Sequence, residues 1–168
     1  MFPSMDFDPQ GDIRRKLLTG LNDRLAQAHS LDGIIGVVRS VARAACSADG
    51  VTFVLRDGNK CHYVEEDAIG PLWKGQKFPM DICISGWAMM NAQTAAIEDI
   101  FSDDRIPHDV YRRTFVRSLI MTPVGTNAPV AAIGAYWSLY RRFTPHDIAS
   151  VESLAGYVAD AMDRVKAA

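Results

Sequence analysis

Three cysteines, at positions 46, 61 and 83, are the side chains of this chain best suited to covalent chemistry. A thiolate acts as a nucleophile or a soft metal ligand, and either role needs a partner at the right spacing. No Cys-x-x-Cys pair exists. Cys61 is followed directly by His62, but adjacent strand residues point to opposite faces, and no His-x-x-x-His completes a zinc set. No metal site is expected. Cys83 stands just before Ser85-Gly86-Trp87-Ala88, and no cysteine follows it. Ser85, in Cys-Ile-Ser-Gly-Trp, lacks the Gly-x-Ser-x-Gly elbow of a nucleophilic serine. It reads instead as a helix N-cap, whose free N–H groups suit an anionic or carbonyl group of a ligand. Asp99, Asp103, Asp104 and Asp109 lack the glycine and terminal glutamate of a calcium loop. Asp103 and Asp104 read as caps, and Asp99 remains a ligand-contact candidate. No phosphate-binding glycine loop occurs. No catalytic residue is assigned.

The odd cysteine count argues against a disulfide framework and for a reducing, cytoplasmic setting. A net charge of -2 gives no electrostatic basis for binding nucleic acid or an anionic membrane. No apolar run approaches the roughly 18–20 residues that span a bilayer. The N-terminus lacks the basic flank and apolar core of a secretory signal. Its 168 residues, 48% hydrophobic, suffice for one domain with a real core.

Positioning these residues requires a particular run of elements. Residues 1–9 read as a loose arm. A helix follows over 10–30, where Ile13, Leu17, Leu21 and Leu25 recur every four positions. Ser30 caps a second helix that stops near Cys46 to Gly50. Val51, Phe53 and Leu55 mark a strand, Asp57-Gly58-Asn59 a turn, and Lys60 to Glu66 its hairpin partner. Residues 67–83 are irregular, broken by Gly70, Pro71, Gly75 and Pro79. A short helix from Ser85 through Asn91, a strand over 95–98 and a helix from Pro107 to about Arg113 come next. Strands at about 118–125 and 129–138 lead to Thr144-Pro145-His146-Asp147, a strong helix start with a hydroxyl cap, a first-turn proline and a carboxylate. The stripe Ile148, Val151, Leu154, Val158, Met162 and Val165 continues almost to the C-terminus. The order predicts an α+β fold.

From Leu31 to Met162 this order resembles a GAF domain, a small-molecule-sensing module. The resemblance rests on Ser85-Gly86-Trp87-Ala88, Ile97-Glu98-Asp99, Pro123 and the final hairpin leading into a capped helix. It implies a GAF/PAS-like antiparallel sheet, with N- and C-terminal helices on one face and a ligand pocket on the other. Residues 31–168 would form the domain, including a C-terminal signalling helix. Matched to the family's sheet, Leu119, Met121, Ala135 and Trp137 point into the pocket, while Ser118, Ile120, Thr122 and Tyr136 face the helices. Trp73, Phe78, Trp87, Met90, Tyr111 and Phe115 roof it, with Cys83, Ser85 and Asp99 nearby. The ligand itself is unknown.

The style is similar to GAF domains placed before histidine kinases in two-component sensors. The resemblance thus implies a signalling part, joined to a kinase output domain in the same polypeptide, and no enzyme by itself. The stripes Ile13-Leu17-Leu21-Leu25 and Val151-Leu154-Val158-Met162 present more apolar surface than one sheet face needs. A homodimeric helix bundle is expected to use the surplus. A covalent bilin, as in phytochrome-type GAF domains, is not expected. Tyr111 to Arg117 hold no cysteine, an arginine interrupts Asp104-Arg105-Ile106-Pro107, and Trp137 stands where a pocket histidine would. Cyclic nucleotide binding has no support either, since Ser138-Leu139 replaces an Asn-Lys pair. Two alternatives stand beside the sensor: a dimerisation scaffold whose pocket is filled by its own side chains, and a cysteine-based reductase of free methionine sulfoxide. The resemblance to that GAF enzyme makes Cys83 the candidate redox thiol but leaves the resolving thiol missing on its C-terminal side.

Overall fold

The structure is a computed structural model that describes residues 9–167. The proposed arm lies outside the described residues except Pro9, which already opens α1 (Pro9–Ala26). A second helix, α2 (Leu31–Ala45), starts where the sequence places it, with Ser30 Oγ accepting the Gly33 N–H at 3.0 Å. β1 (Gly50–Asp57) and β2 (Lys60–Ala68) form the expected hairpin, turned by Gly58 at φ 61°. The irregular stretch hides a short strand, β3 (Lys77–Pro79). α3 (Ile84–Asn91), β4 (Ala95–Ile97) and α4 (His108–Tyr111) precede the final hairpin, β5 (Ser118–Val124) and β6 (Ala131–Trp137). The chain then enters α5 (Pro145–Ala167).

The six strands form one sheet in the order β3-β2-β1-β6-β5-β4, with every pairing antiparallel. This is the α+β architecture expected. Its two faces carry separate cores. Val51, Phe53, Ile120, Ile133, Ala135 and Trp137 pack under α1, α2 and α5. Val54, Cys61, Tyr63, Leu119, Met121 and Tyr136 pack under α3 and the crossing loops.

The helix stripes go to this first core. Leu21, Leu25, Val151, Leu154 and Val158 are buried against the molecule's own sheet, and Met162 packs at the edge of that core. They are not spare surface for a partner, which corrects the sequence expectation. A strict four-residue repeat drifts about 40° per step around a 3.6-residue helix. Ile13 consequently ends on the outside, 57% exposed, while Leu18 turns inward and Leu17 sits half-buried.

One irregularity matters for the second face. Phe53 pairs with Glu65 and Val54 with Tyr63, so Val64 is an extra residue bulged out of β2. Beyond the bulge, Glu65 reaches Arg39 of α2, while Glu66 turns toward the crossing loop. The two-residue alternation of β2 breaks there.

Candidate functional site

An aromatic chamber fills the sheet face opposite the terminal helices. Tyr63 and Tyr136 rise from β2 and β6, Trp73 descends from the crossing loop, and Tyr111 comes from α4. Trp73 lies 4.6 Å from the Tyr111 ring centroid and 5.6 Å from both Tyr63 and Tyr136. Phe78 meets Tyr63 edge-on at 5.6 Å. These are ordinary edge-to-face and tilted packing distances, so the rings themselves occupy the space.

Two backbone features make the chamber. Tyr136 lies over Gly134, where an added Cβ would stand 2.4 Å from its hydroxyl and 2.8 Å from Met121 Cε. Folded over the glycine, its hydroxyl pairs with Thr52 Oγ1 at 2.8 Å. One carboxylate gathers the backbone of the roof. Glu66 accepts the backbone N–H groups of Leu72, Trp73 and Lys74 at 2.9, 2.8 and 2.7 Å, which fixes the segment that carries Trp73. Charge-assisted bonds of this kind are roughly twice as strong as neutral ones.

Beside the rings lies a sulfur cluster. Cys61 on β2 and Cys83 at the head of α3 place their Sγ atoms 2.9 Å apart. Met80 Sδ stands 3.3 Å from Cys61 Sγ. Ser85 Oγ donates to Cys83 Sγ at 3.3 Å and pairs with Tyr63 Oη at 3.0 Å. Having spent its one proton on the sulfur, Ser85 must accept from the tyrosine. Gly86 N–H also points at Cys83 Sγ, at 3.4 Å. Its own Cβ position would collide with the Met80 carbonyl, so glycine is what lets α3 approach so closely. Hydrogen bonding from the Cys61 thiol, against the cost of burial, lowers the Cys83 thiol below its ordinary value, with help from Ser85 and Gly86. Cys61 moves the other way, held protonated by that same contact and by burial. Cys46, buried among the helices, is pushed up to about 12 and stays inert.

Leu119, Met121, Trp73, Tyr111, Cys83 and Ser85 all belong to this face, with Phe78, Trp87 and Phe115 at its edge. Ala135 and Trp137 do not. They face the helices, where Trp137 Nε1 donates to Ser47 O at 2.8 Å, while Tyr136 faces the chamber. Leu119 pairs with Tyr136 and Ile120 with Ala135, so the expected assignment was one residue out of step on β6. A slip of one flips every side chain of a strand. Met90 is 53% exposed and lies outside the chamber. Asp99 caps the short 3-10 turn at Ile100–Ser102, accepting from Phe101 N–H and Ser102 Oγ. Ser85 is not the N-cap of α3. Cys83 is, and Ser85 is buried in the first turn, two residues further on.

Sequence reasoning missed Tyr63, Tyr136, Glu66 and the partnership of Cys61. The Cys61-x-Tyr63 spacing did carry a signal, since residues two apart on a strand share a face. The second thiol lay upstream on a neighbouring strand, where a search C-terminal to Cys83 could not find it. An open groove of about 980 Å³ lies elsewhere, between the β5–β6 turn and α5, lined by Thr94, Thr122, Glu152 and Asp160 among others. It holds none of the ligand-pocket candidates and is largely turn backbone and mixed charge. The enclosed chamber, with its convergent rings and polar atoms, is therefore the candidate site.

The family model described as GAF domain matches residues 28–163, and the chain belongs to that family. No curated protein sequence matches it. Among solved structures, it is similar to the free methionine-R-sulfoxide reductase of Neisseria meningitidis in complex with its substrate. That match has 15% identity and a TM-score of 0.82, covering 96% of this chain and 95% of the other. The GAF domain of a phosphoenolpyruvate-protein phosphotransferase from Coxiella burnetii matches at 12% identity and TM-score 0.80, covering 94% and 96%. A GAF sensor protein from Burkholderia vietnamiensis matches at 12% identity and TM-score 0.77, covering 96% and 100%. At such identities the likeness carries the fold. GAF domains are a sensory and regulatory fold found in many signalling proteins.

Proposed function

We propose that this chain is the sensory domain of a signalling protein, in which the aromatic chamber admits a small, planar or apolar molecule and the terminal helices carry the output. The observation that carries the reading is the roof: Trp73 closes the chamber from a loop whose backbone N–H groups at residues 72–74 converge on the single carboxylate of Glu66. Rings packed at 4.6–5.6 Å leave the closed state filled, so a ligand must displace Trp73. A ligand shifts such an equilibrium only by its difference in affinity for the two states. The sheet links the two ends, because β5 and β6 carry Leu119, Met121 and Tyr136 on one face and Ile120, Ile133 and Ala135 on the other.

The output we propose is a two-component histidine kinase in the same polypeptide, acting in the cytoplasm, where three free thiols are at home. No helix among the described residues is long and apolar enough to cross a membrane. We propose a homodimer that uses the outer side of α1, where Ile13 is exposed. We infer no methionine sulfoxide reductase activity: incubation with free methionine sulfoxide and a dithiol reductant should leave the sulfoxide unconsumed. Cys83-dependent turnover would replace the sensor with an enzyme.

Native mass spectrometry of freshly purified protein tests the ligand. A mass excess that vanishes under denaturing conditions is the expected result. A bare native mass, together with no thermal shift across a metabolite panel, would leave a ligand-free scaffold.

A further inference from the structure

We propose that Cys61 and Cys83 are a peroxide-oxidisable dithiol that closes into a reversible disulfide between β2 and the head of α3. Their sulfurs stand 2.9 Å apart, and a disulfide needs about 2.05 Å, so closure asks for less than an ångström of movement. The two thiols are set up differently. Cys83 is the N-cap of α3, with Gly86 N–H and the Ser85 hydroxyl aimed at its sulfur, and Tyr63 holding Ser85 in that orientation. These donors favour the thiolate, and the Cys83 thiol is lowered while Cys61 keeps its proton. A low-pKa thiol beside a resolving thiol is the arrangement that oxidation selects where a small oxidant can reach it. Of the two, only Cys83, 6% exposed, keeps a narrow opening to solvent.

The oxidant is a small hydroperoxide. Cys83 thiolate attacks one peroxide oxygen, the O–O bond breaks, and the departing hydroxide takes up a proton and leaves as water. The resulting sulfenic acid faces Cys61. The Cys61 sulfur then attacks the Cys83 sulfur, the S–O bond breaks, and the hydroxyl departs as a second water with the Cys61 proton. Two thiols give up two electrons, and one hydrogen peroxide becomes two waters. A thiol reductant reverses the closure by exchange. Oxidation removes the negative charge from the sulfur that faces the Gly86 N–H, and so weakens the first turn of α3 beside the chamber. The ligand reading above does not enter this chemistry, so either stands or falls without the other.

The test uses the whole reduced chain without any ligand. Hydrogen peroxide is added, remaining thiols are blocked after denaturation, and peptides are mapped by mass without reduction. Both free thiols at 61 and 83 should be lost to one linked peptide, with Cys46 still alkylated, and dithiothreitol should restore them. In Cys61→Ser, reaction should stop at a sulfenic acid on Cys83 that dimedone traps. In Cys83→Ser, no dimedone adduct should form at Cys61. Circular dichroism checks the fold of both variants, and the wild-type map stands alone if either fails. Methionine sulfoxide accumulating while Cys61 and Cys83 stay reduced would overturn the proposal, as would a dimedone adduct that forms on Cys61 in Cys83→Ser.

Discussion

At Gly134 the backbone leaves room for a hydrogen and nothing more. A methyl there would meet the Tyr136 hydroxyl at 2.4 Å and Met121 Cε at 2.8 Å. Gly134→Ala should therefore push Tyr136 off Thr52 and cost about 1–3 kcal/mol, the usual range for overpacking a filled core. Chemical denaturation measures it, and an unchanged midpoint would mean the ring has room to yield. Glu66 is the second decisive residue, because three backbone donors converge on its carboxylate. Glu66→Gln keeps the size but removes the charge and offers its own N–H groups to those donors. The expected loss is about 1.5–3 kcal/mol, the scale of hydrogen bonds to a charged group. Hydrogen exchange gives the sharper readout: amides 72–74 should exchange faster, while those of β6 should not. Neither residue announces itself in the sequence, since a glycine and a glutamate in strands have many ordinary uses.

The terminal helices make the contrast between what sequence revealed and what it could not. Caps are local, and they were readable. Ser30 starts α2 as expected, and Thr144 and Asp147 form a reciprocal box, each accepting the other's backbone N–H at 2.9 and 3.2 Å. Thr144→Ala should cost about 1 kcal/mol of stability, the typical value of a lost N-cap, measurable as a lowered thermal midpoint. Element order and fold class followed from similar local signals and from the family resemblance. Facing was not local. Whether Tyr136 or Trp137 enters the chamber depends on pairing with β5, and the reach of Glu65 and Glu66 depends on the bulge at Val64. The stripes of α1 and α5 were visible, but not what they cover. Leu21 is fully buried in the molecule's own core. Leu21→Ala should lose about 2–5 kcal/mol, as large-to-small core changes do, and Leu21→Glu should cost more than that. Urea unfolding beside light scattering separates this from the sequence expectation: a stable, well-folded monomer of Leu21→Glu would restore the helix to an intermolecular role.

Across the whole molecule, the first and last helices are joined by a buried charge, and this sets how the fold answers acid. Asp147 heads α5 and is 8% exposed, with Arg14 of α1 at 3.3 Å and Arg141 at 3.5 Å. Burial alone would raise its carboxyl, but the Thr144 N–H and hydroxyl and the two arginines outweigh that and hold it below the ordinary value. Glu65, bound to Lys74 and facing Arg39, is lowered too, against its own burial. Asp103, chelated by Arg105, shifts the same way. Each of these groups binds its proton more weakly in the folded chain than in the unfolded one. Stability from them is complete at neutral pH, begins to fall near the unfolded carboxyl values of about 4, and continues to fall down to their depressed native values. The native state holds fewer protons than the unfolded state over that interval, so acid pulls toward unfolding. Of the three, only Asp147 pairs α5 with Arg14 of α1, so its protonation should weaken the hold of α1 on α5. Asp147→Asn should be less stable than wild type at pH 7 and should lose less with acid, so the two denaturation midpoints converge as pH falls below about 4. Parallel midpoint curves for the two proteins from pH 7 to pH 3 would show that Asp147 titrates alike in both states, and that the Arg14 and Arg141 pairs contribute nothing to holding the helices together.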